Sequence, residues 1–208
     1  MDRSAFLERI RARLARLERP ELPPALPATM VSGDGRGFAR FAEELAALRG
    51  QARRVAAGEL PAAVANVARG CARAVVGADL GPFAEPVAAG LEIAGCAILM
   101  PDREGAAGAD LGVTGAAYGV ASTGSVLLSA GPDRARTTSL LPERHLAILP
   151  EERLLPGLDE LVERLPELAA SASQLVLVTG PSRTSDIEMT SVLGVHGPER
   201  VIVLVVGD

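Results

Sequence analysis

Hydroxyl, guanidinium and imidazole side chains gather around two glycine-centred segments, residues 112–125 and 180–198. The second opens as Gly180-Pro-Ser-Arg-Thr-Ser-Asp-Ile-Glu188, directly after the apolar run Leu175–Val178. Read as strand, tight turn and helix, it places Ser182, Arg183, Thr184 and Asp186 at a helix N-terminus, where free N–H groups favour an anion. Arg183 can fork onto a carboxylate or phosphate, with the Ser182 and Thr184 hydroxyls completing a cradle. The capping-box spacing of Ser185 and Glu188 explains the same polar residues as helix caps, so capping and ligand binding are equally compatible with it. In Gly194-Val-His-Gly-Pro198, His196 and Gly197 lie in a turn, where the imidazole serves as an acid–base group or anion donor, or ties the loop to its own backbone.

The first segment, Gly112-Val-Thr-Gly-Ala-Ala-Tyr-Gly-Val-Ala-Ser-Thr-Gly-Ser125, contributes Thr114, Thr123, Gly124 and Ser125, its glycines permitting close backbone approach. It matches neither G-x-G-x-x-G nor G-x-S-x-G, so a dinucleotide site and a nucleophile elbow lack support, and no cofactor is expected. His145 is the second of 2 histidines, and the 2 cysteines, Cys71 and Cys96, lie far apart in apolar surroundings. They supply neither a zinc nor an iron–sulfur ligand set and read as buried free thiols, so no metal site is expected.

All 21 basic residues are arginine, which excludes lysine Schiff bases, covalent pyridoxal phosphate and a Walker A lysine. A net charge of −5 with 2% aromatic residues argues against nucleic acid as a partner. The first twenty residues are charged throughout and contain no secretory apolar stretch, so a cytoplasmic location is expected. Residues 111–131 are uncharged over a span long enough for a bilayer, but their glycine, serine and threonine content and unanchored flanks point to turns, and no membrane span is expected.

The elements that must position these residues follow from apolar spacing. The chain of 208 residues, 48% apolar, suits one domain with an appendage. Phe6, Ile10, Leu14 and Leu17 mark an amphipathic first helix, followed by the proline-rich stretch 20–27, so residues 1–30 read as helix and linker and 31–208 as the domain. The helix is either a docking arm or dimer element, or packs back on its own domain. Phe38, Phe41, Leu45 and Leu48 mark a second helix that Gly50 can end as its left-handed residue.

Short apolar runs then follow at 74–76, 97–100, 126–128, 146–149, 175–178 and 201–206. Consecutive rather than alternating apolar residues indicate strands covered on both faces. A helix carrying Leu158, Leu161, Val162, Leu165 and Leu168, and a shorter one around Ile187 to Leu193, lie between the later runs. The expected fold is a three-layer α/β/α arrangement with a mainly parallel sheet and an N-terminal helical appendage.

Five motifs occur in an order that resembles the LUD-domain family: Gly112-Val-Thr-Gly-Ala116, Ala121-Ser-Thr-Gly-Ser125, Ser139-Leu-Leu-Pro-Glu-Arg-His145, Gly180 to Glu188, and Gly194 to Pro198. The resemblance covers roughly residues 35–208 and is to stand-alone members of that family. It implies a fold like that of sugar-phosphate isomerases and CoA transferases, and a role in a multi-subunit system oxidising L-lactate to pyruvate. The implied partners are an iron–sulfur LUD-type subunit and a cysteine-rich subunit; this chain lacks their cysteine clusters.

Family members commonly carry glutamate in the A-E-T-G-T motif where this sequence has Ser122, so no role of that carboxylate carries over. The expected function is therefore an accessory component binding a small anion or a partner subunit. The alternatives are a stand-alone enzyme, or a ligand sensor, for a phosphorylated or CoA-linked metabolite.

Overall fold

Residues 111–115, 145–149 and 201–206 are buried on consecutive positions, and such strands need cover on both faces. The computed structural model describes residues 2–16, 37–185, 191–193 and 196–208. In chain order its elements are α1 (Arg3–Leu14), α2 (Gly37–Ala47), β1 (Gln51–Ala56), α3 (Leu60–Val67), β2 (Arg73–Val76), α4 (Ala84–Ile93), β3 (Ala97–Leu99), α5 (Arg103–Gly108) and β4 (Leu111–Gly115). There follow β5 (Tyr118–Val120), β6 (Ser125–Ala130), α6 (Thr137–Leu140), β7 (Arg144–Pro150), β8 (Leu154–Leu155), α7 (Leu158–Ser171), β9 (Gln174–Val178), β10 (Arg183–Ser185), β11 (Ser191–Leu193) and β12 (Arg200–Gly207).

Six strands form a parallel sheet in the order β1-β12-β7-β4-β2-β3. Alternation along the strands sends Leu111, Val113, Leu146, Ile148, Ile202 and Leu204 to one face, against Leu60 and Val64 of α3 and Val87 and Leu91 of α4. Ala147, Leu149, Val201, Val203 and Val205 point to the other, against Phe41 and Leu45 of α2 and Val126 and Leu128 of β6. Each fully buried branched side chain of this kind contributes about 1.5–3 kcal/mol. The expected α/β class, with a parallel sheet flanked by helices, is what the chain adopts.

The second face carries a further sheet, in the order β8-β5-β6-β9. The apolar runs 126–128 and 175–178 thus form an antiparallel pair outside the parallel sheet, Val126 lying opposite Val178. The far side of this sheet packs Val120, Leu127 and Leu155 beneath Leu161 of α7. Val162, expected on the buried face of α7, is 59% exposed.

Two further expectations are corrected. Residues 183–185 and 191–193 pair as antiparallel strands, so the helix expected around Ile187 to Leu193 is replaced, at its end, by a β-ribbon. The helix α2 ends with Gly50 N–H donating to the Leu45 carbonyl and the left-handed residue is Arg49 (φ 67), not Gly50. Gly50 is needed for space, since a Cβ there would collide with the Leu45 side chain.

The uncharged stretch 111–131 becomes β4, β5 and β6 and their turns, and among the described residues no helix is long and apolar enough to cross a membrane. Both cysteines are buried and free. None of the described residues of α1 is buried; Phe6, Ile10 and Leu14 stand exposed. The proline-rich stretch 20–27, Asp186 and the capping-box partner Glu188 lie outside the described residues.

Candidate functional site

The predicted residues that the structure describes fall into two groups, each brought together through the sheets. The first group joins the two glycine-centred segments. Thr123 Oγ1 and Ser125 Oγ lie 2.7 Å apart, and Ser125 Oγ and Thr179 Oγ1 2.8 Å, a chain of hydroxyls linking the start of β6 to the end of β9.

This chain abuts the C-terminal end of α2. Gly124 (φ +63) presses on the backbone of Glu44 and Leu45, and Gly180 (φ +94) on Leu48, leaving no room for side chains. Arg183 donates to the Leu48 carbonyl oxygen, one of the acceptors a helix leaves unpaired at its end. Its guanidinium therefore serves α2 in this structure, and the expected helix N-terminus beside it is a strand, with Thr184 in β10. Ser182 N–H donates to the Pro198 carbonyl at 2.9 Å, Gly197 packs on the Ser182 side chain, and His196 is exposed. Ser122 N–H donates to the Pro156 carbonyl, while its buried hydroxyl has no partner among the described residues.

The second group is inside the molecule. Gly112 and His145 are lateral partners in β4 and β7, so alternation puts Thr114 and His145 on the same face, the one turned to the second sheet. Thr114 Oγ1 and His145 Nε2 are 2.8 Å apart. His145 is 1% exposed, and burial pulls its imidazole down to about 4, so it is neutral near pH 7. Its Nδ1 is buried without a partner among the described residues. A buried N–H without acceptor costs more than a bare lone pair, which assigns the proton to Nε2, donating to Thr114. The Thr114 hydroxyl proton is then free to point elsewhere.

Thr114 lines a cleft that sequence reasoning missed. β2 runs on to α4 over one face of the sheet, whereas β4 runs into the second sheet on the other. The chain thus parts at the carboxyl ends of neighbouring strands, the place where open α/β sheets hold ligands. A cavity of about 40 Å³ lies there, lined by Asp79, Thr114, Ser129, Arg134, Arg136, Thr138 and Ser139, with Leu128, Val176 and Val178 as its apolar wall. Gly112 lets α6 sit against β4: a Cβ there would run into the Thr138 carbonyl oxygen.

Asp79 Oδ1 accepts from the Gly115 N–H at 3.0 Å. Burial pushes its carboxyl above the usual range, opposed by that hydrogen bond and by the charge of Arg134. Thr138 is 1% exposed, and its Oγ1 has no hydrogen-bond partner among the described residues. The cleft therefore combines two guanidinium groups, a half-buried carboxyl that burial shifts upward, and hydroxyls with spare hydrogen-bonding capacity. That set can grip a small carboxylate and offer a proton donor or acceptor to a neighbouring oxygen. The rule that ligands gather at carboxyl ends of strands, applied to Gly77-Ala-Asp79 after β2, was the available signal. Among the described residues no group of three or more His, Cys, Asp and Glu side chains is arranged to hold a metal ion.

Comparison with known proteins bears on this geometry. A family model described as LUD domain matches residues 100–206. Lactate utilization protein C of Deinococcus radiodurans is 30% identical over 200 residues, covering 91% of this chain and 88% of that protein. Lactate utilization protein C of Halalkalibacterium halodurans is 41% identical over 104 residues, 48% of this chain and 45% of that protein, and further relatives match over a similar share. The chain spans about half the length of these relatives. A crystal structure of a DUF162 family protein from Deinococcus radiodurans superposes with a TM-score of 0.65 at 23% identity, covering 85% of this chain and 100% of that one, a likeness of fold.

Proposed function

This chain belongs to the LUD-domain family, and on that premise we propose that it is an accessory component of an L-lactate utilisation system in the cytoplasm. In this reading it holds a small carboxylate anion in the cleft between its sheets, while iron–sulfur and cysteine-rich partner subunits carry the electrons. The observation behind it is the cleft lining, Arg134 and Arg136 beside the buried hydroxyl of Thr138, which has no partner among the described residues. A 2-hydroxy or 2-oxo acid suits that lining: its carboxylate meets a guanidinium, and its neighbouring oxygen meets Thr114 or Thr138. The cavity volume favours a ligand of a few heavy atoms over a nucleotide. Burial holds the Cys71 and Cys96 thiols protonated, Cys96 up to about 11, which suits packing rather than cluster ligation. The exposed Phe6, Ile10 and Leu14 of α1 suit residues 1–30 to docking on a partner subunit.

The test is ligand-dependent melting of the purified chain with L-lactate and pyruvate, in wild type and Arg134→Ala, alongside co-purification with the iron–sulfur relative. Wild type is stabilised by one of the acids, and the variant loses about 1.5–3 kcal/mol of that binding, the scale of a charged hydrogen bond. No stabilisation by either acid, together with no co-purified subunit, would discard the proposal. Asp79 favours a second reading, a stand-alone enzyme or sensor for a phosphorylated or CoA-linked metabolite, because a carboxyl that burial shifts upward, standing in a cleft, is equipped for acid–base work. Turnover by the isolated chain that disappears in Asp79→Asn would establish that reading instead.

A further inference from the structure

The opposite end of the sheet carries a second concentration of charge. Arg144 and Arg200 open β7 and β12 and are lateral partners, so their Cα atoms stand roughly 5 Å apart. Like charges placed directly across neighbouring strands destabilise a sheet. Arg53 of β1 and Arg69, just past the end of α3, converge on the same place, with Gln51 and Asn66 beside them around an open groove of about 310 Å³.

No described salt bridge involves any of these four arginines: those present join Arg40 to Glu44 and Arg54 to Glu151. Two of the four are held in position by neutral groups. Arg144 donates to the Arg69 carbonyl at 3.1 Å and to Cys71 Sγ at 3.3 Å, and Arg69 to Asn66 Oδ1 at 2.7 Å. Asp110, a carboxylate near Cys71, is engaged with the backbone N–H groups of Ala72 and Arg73 at 2.8 and 2.9 Å. A chain with net charge −5 thus keeps four guanidinium groups, two of them anchored, facing one concave space that no carboxylate among the described residues lines.

We propose that this groove is a binding site for a small ligand carrying adjacent negative charges, of the phosphate ester or pyrophosphate class. Planar guanidinium forks match the oxygens of such groups in pairs, and several of them converging from three strands and a helix end favour a polyanion over a single carboxylate. Gln51 and Asn66 add neutral hydrogen-bonding capacity at the rim. The proposal is independent of the cleft, which lies at the carboxyl ends of other strands.

The experiment is calorimetric titration of the full chain with inorganic pyrophosphate at low ionic strength. The wild type binds, the double variant Arg53→Gln/Arg200→Gln binds about tenfold or more weakly, and Arg134→Ala, in the cleft, binds as wild type does. Binding also weakens when salt is raised to about 0.5 M, since exposed charges are screened. Arg53 and Arg200 are exposed, so melting curves of the double variant match wild type, and each single variant gives a partial loss. Absence of binding, equal affinity in the double variant, or loss of binding in Arg134→Ala would overturn the proposal. Because pyrophosphate reports on the groove and L-lactate or pyruvate on the cleft, failure of one site leaves the other standing.

Discussion

At the residue scale, His145 makes the sharpest prediction. Its folded-state value of about 4 lies below the ordinary value of 6.5, so the unfolded chain binds more protons between those limits. The neutral imidazole's contribution is intact above pH 6.5 and is lost as pH falls, reaching about 3 kcal/mol by pH 4. Asp79 has the opposite sign: a carboxyl held above its ordinary value favours the folded state as pH falls, so the two partly cancel in wild type. Urea titrations of wild type and His145→Gln from pH 7 to 4 isolate the histidine; parallel curves would show that His145 is not the titrating group. Thr114 was legible as a polar residue among glycines and His145 as the end of the motif Ser139 to His145, but their contact depends on the lateral register of β4 and β7, which no spacing along one strand reveals. Asp79, Arg134 and Thr138 were overlooked for the same reason: the first two stand in ordinary turns and Thr138 in the short helix α6, and they share a cavity only because the second sheet folds over β4.

Among the elements, the end of α2 decides how the glycine-centred segments are arranged. Arg49 holds a left-handed conformation that costs an L residue roughly 1 kcal/mol and glycine almost nothing. Arg49→Gly should therefore raise stability by about 0.5–1 kcal/mol in chemical denaturation, and a loss would mean that the Arg49 side chain contributes a contact of its own. Helical periodicity found α2 and α7 because their apolar residues recur every three or four positions. Strands β5 and β8 escaped it. They are three and two residues long, and the glycine and alanine around them gave no alternating pattern. The β-ribbon escaped too, since Ser185 spells a helix cap as readily as a strand end.

For the whole molecule, charge and concavity lie at two poles of one sheet, the cleft at the carboxyl ends of β2 and β4 and the arginine groove at the amino ends of β1, β7 and β12. α1 belongs to neither pole and buries none of its described residues. A chain beginning at residue 17 should melt within a few degrees of the full chain, because none of the described residues of α1 is buried, yet should lose co-purification with a partner subunit if α1 docks there. A large drop in melting temperature would instead place α1 in the fold.

The position of β12 governs how the chain can be assembled. Its two neighbours are β1 and β7, and β1 is hydrogen-bonded to no other strand of the sheet. As the polypeptide emerges from the ribosome, Gln51–Ala56 has to wait unpaired until the segment that faces it, beginning with Ile202 opposite Gln51, has been synthesised. Pairings of such long sequence separation close slowly and leave strand edges open to wrong partners meanwhile. The sheet is thus completed only once β12 has been synthesised, and a premature stop before residue 200 would remove the shared neighbour of β1 and β7 at once.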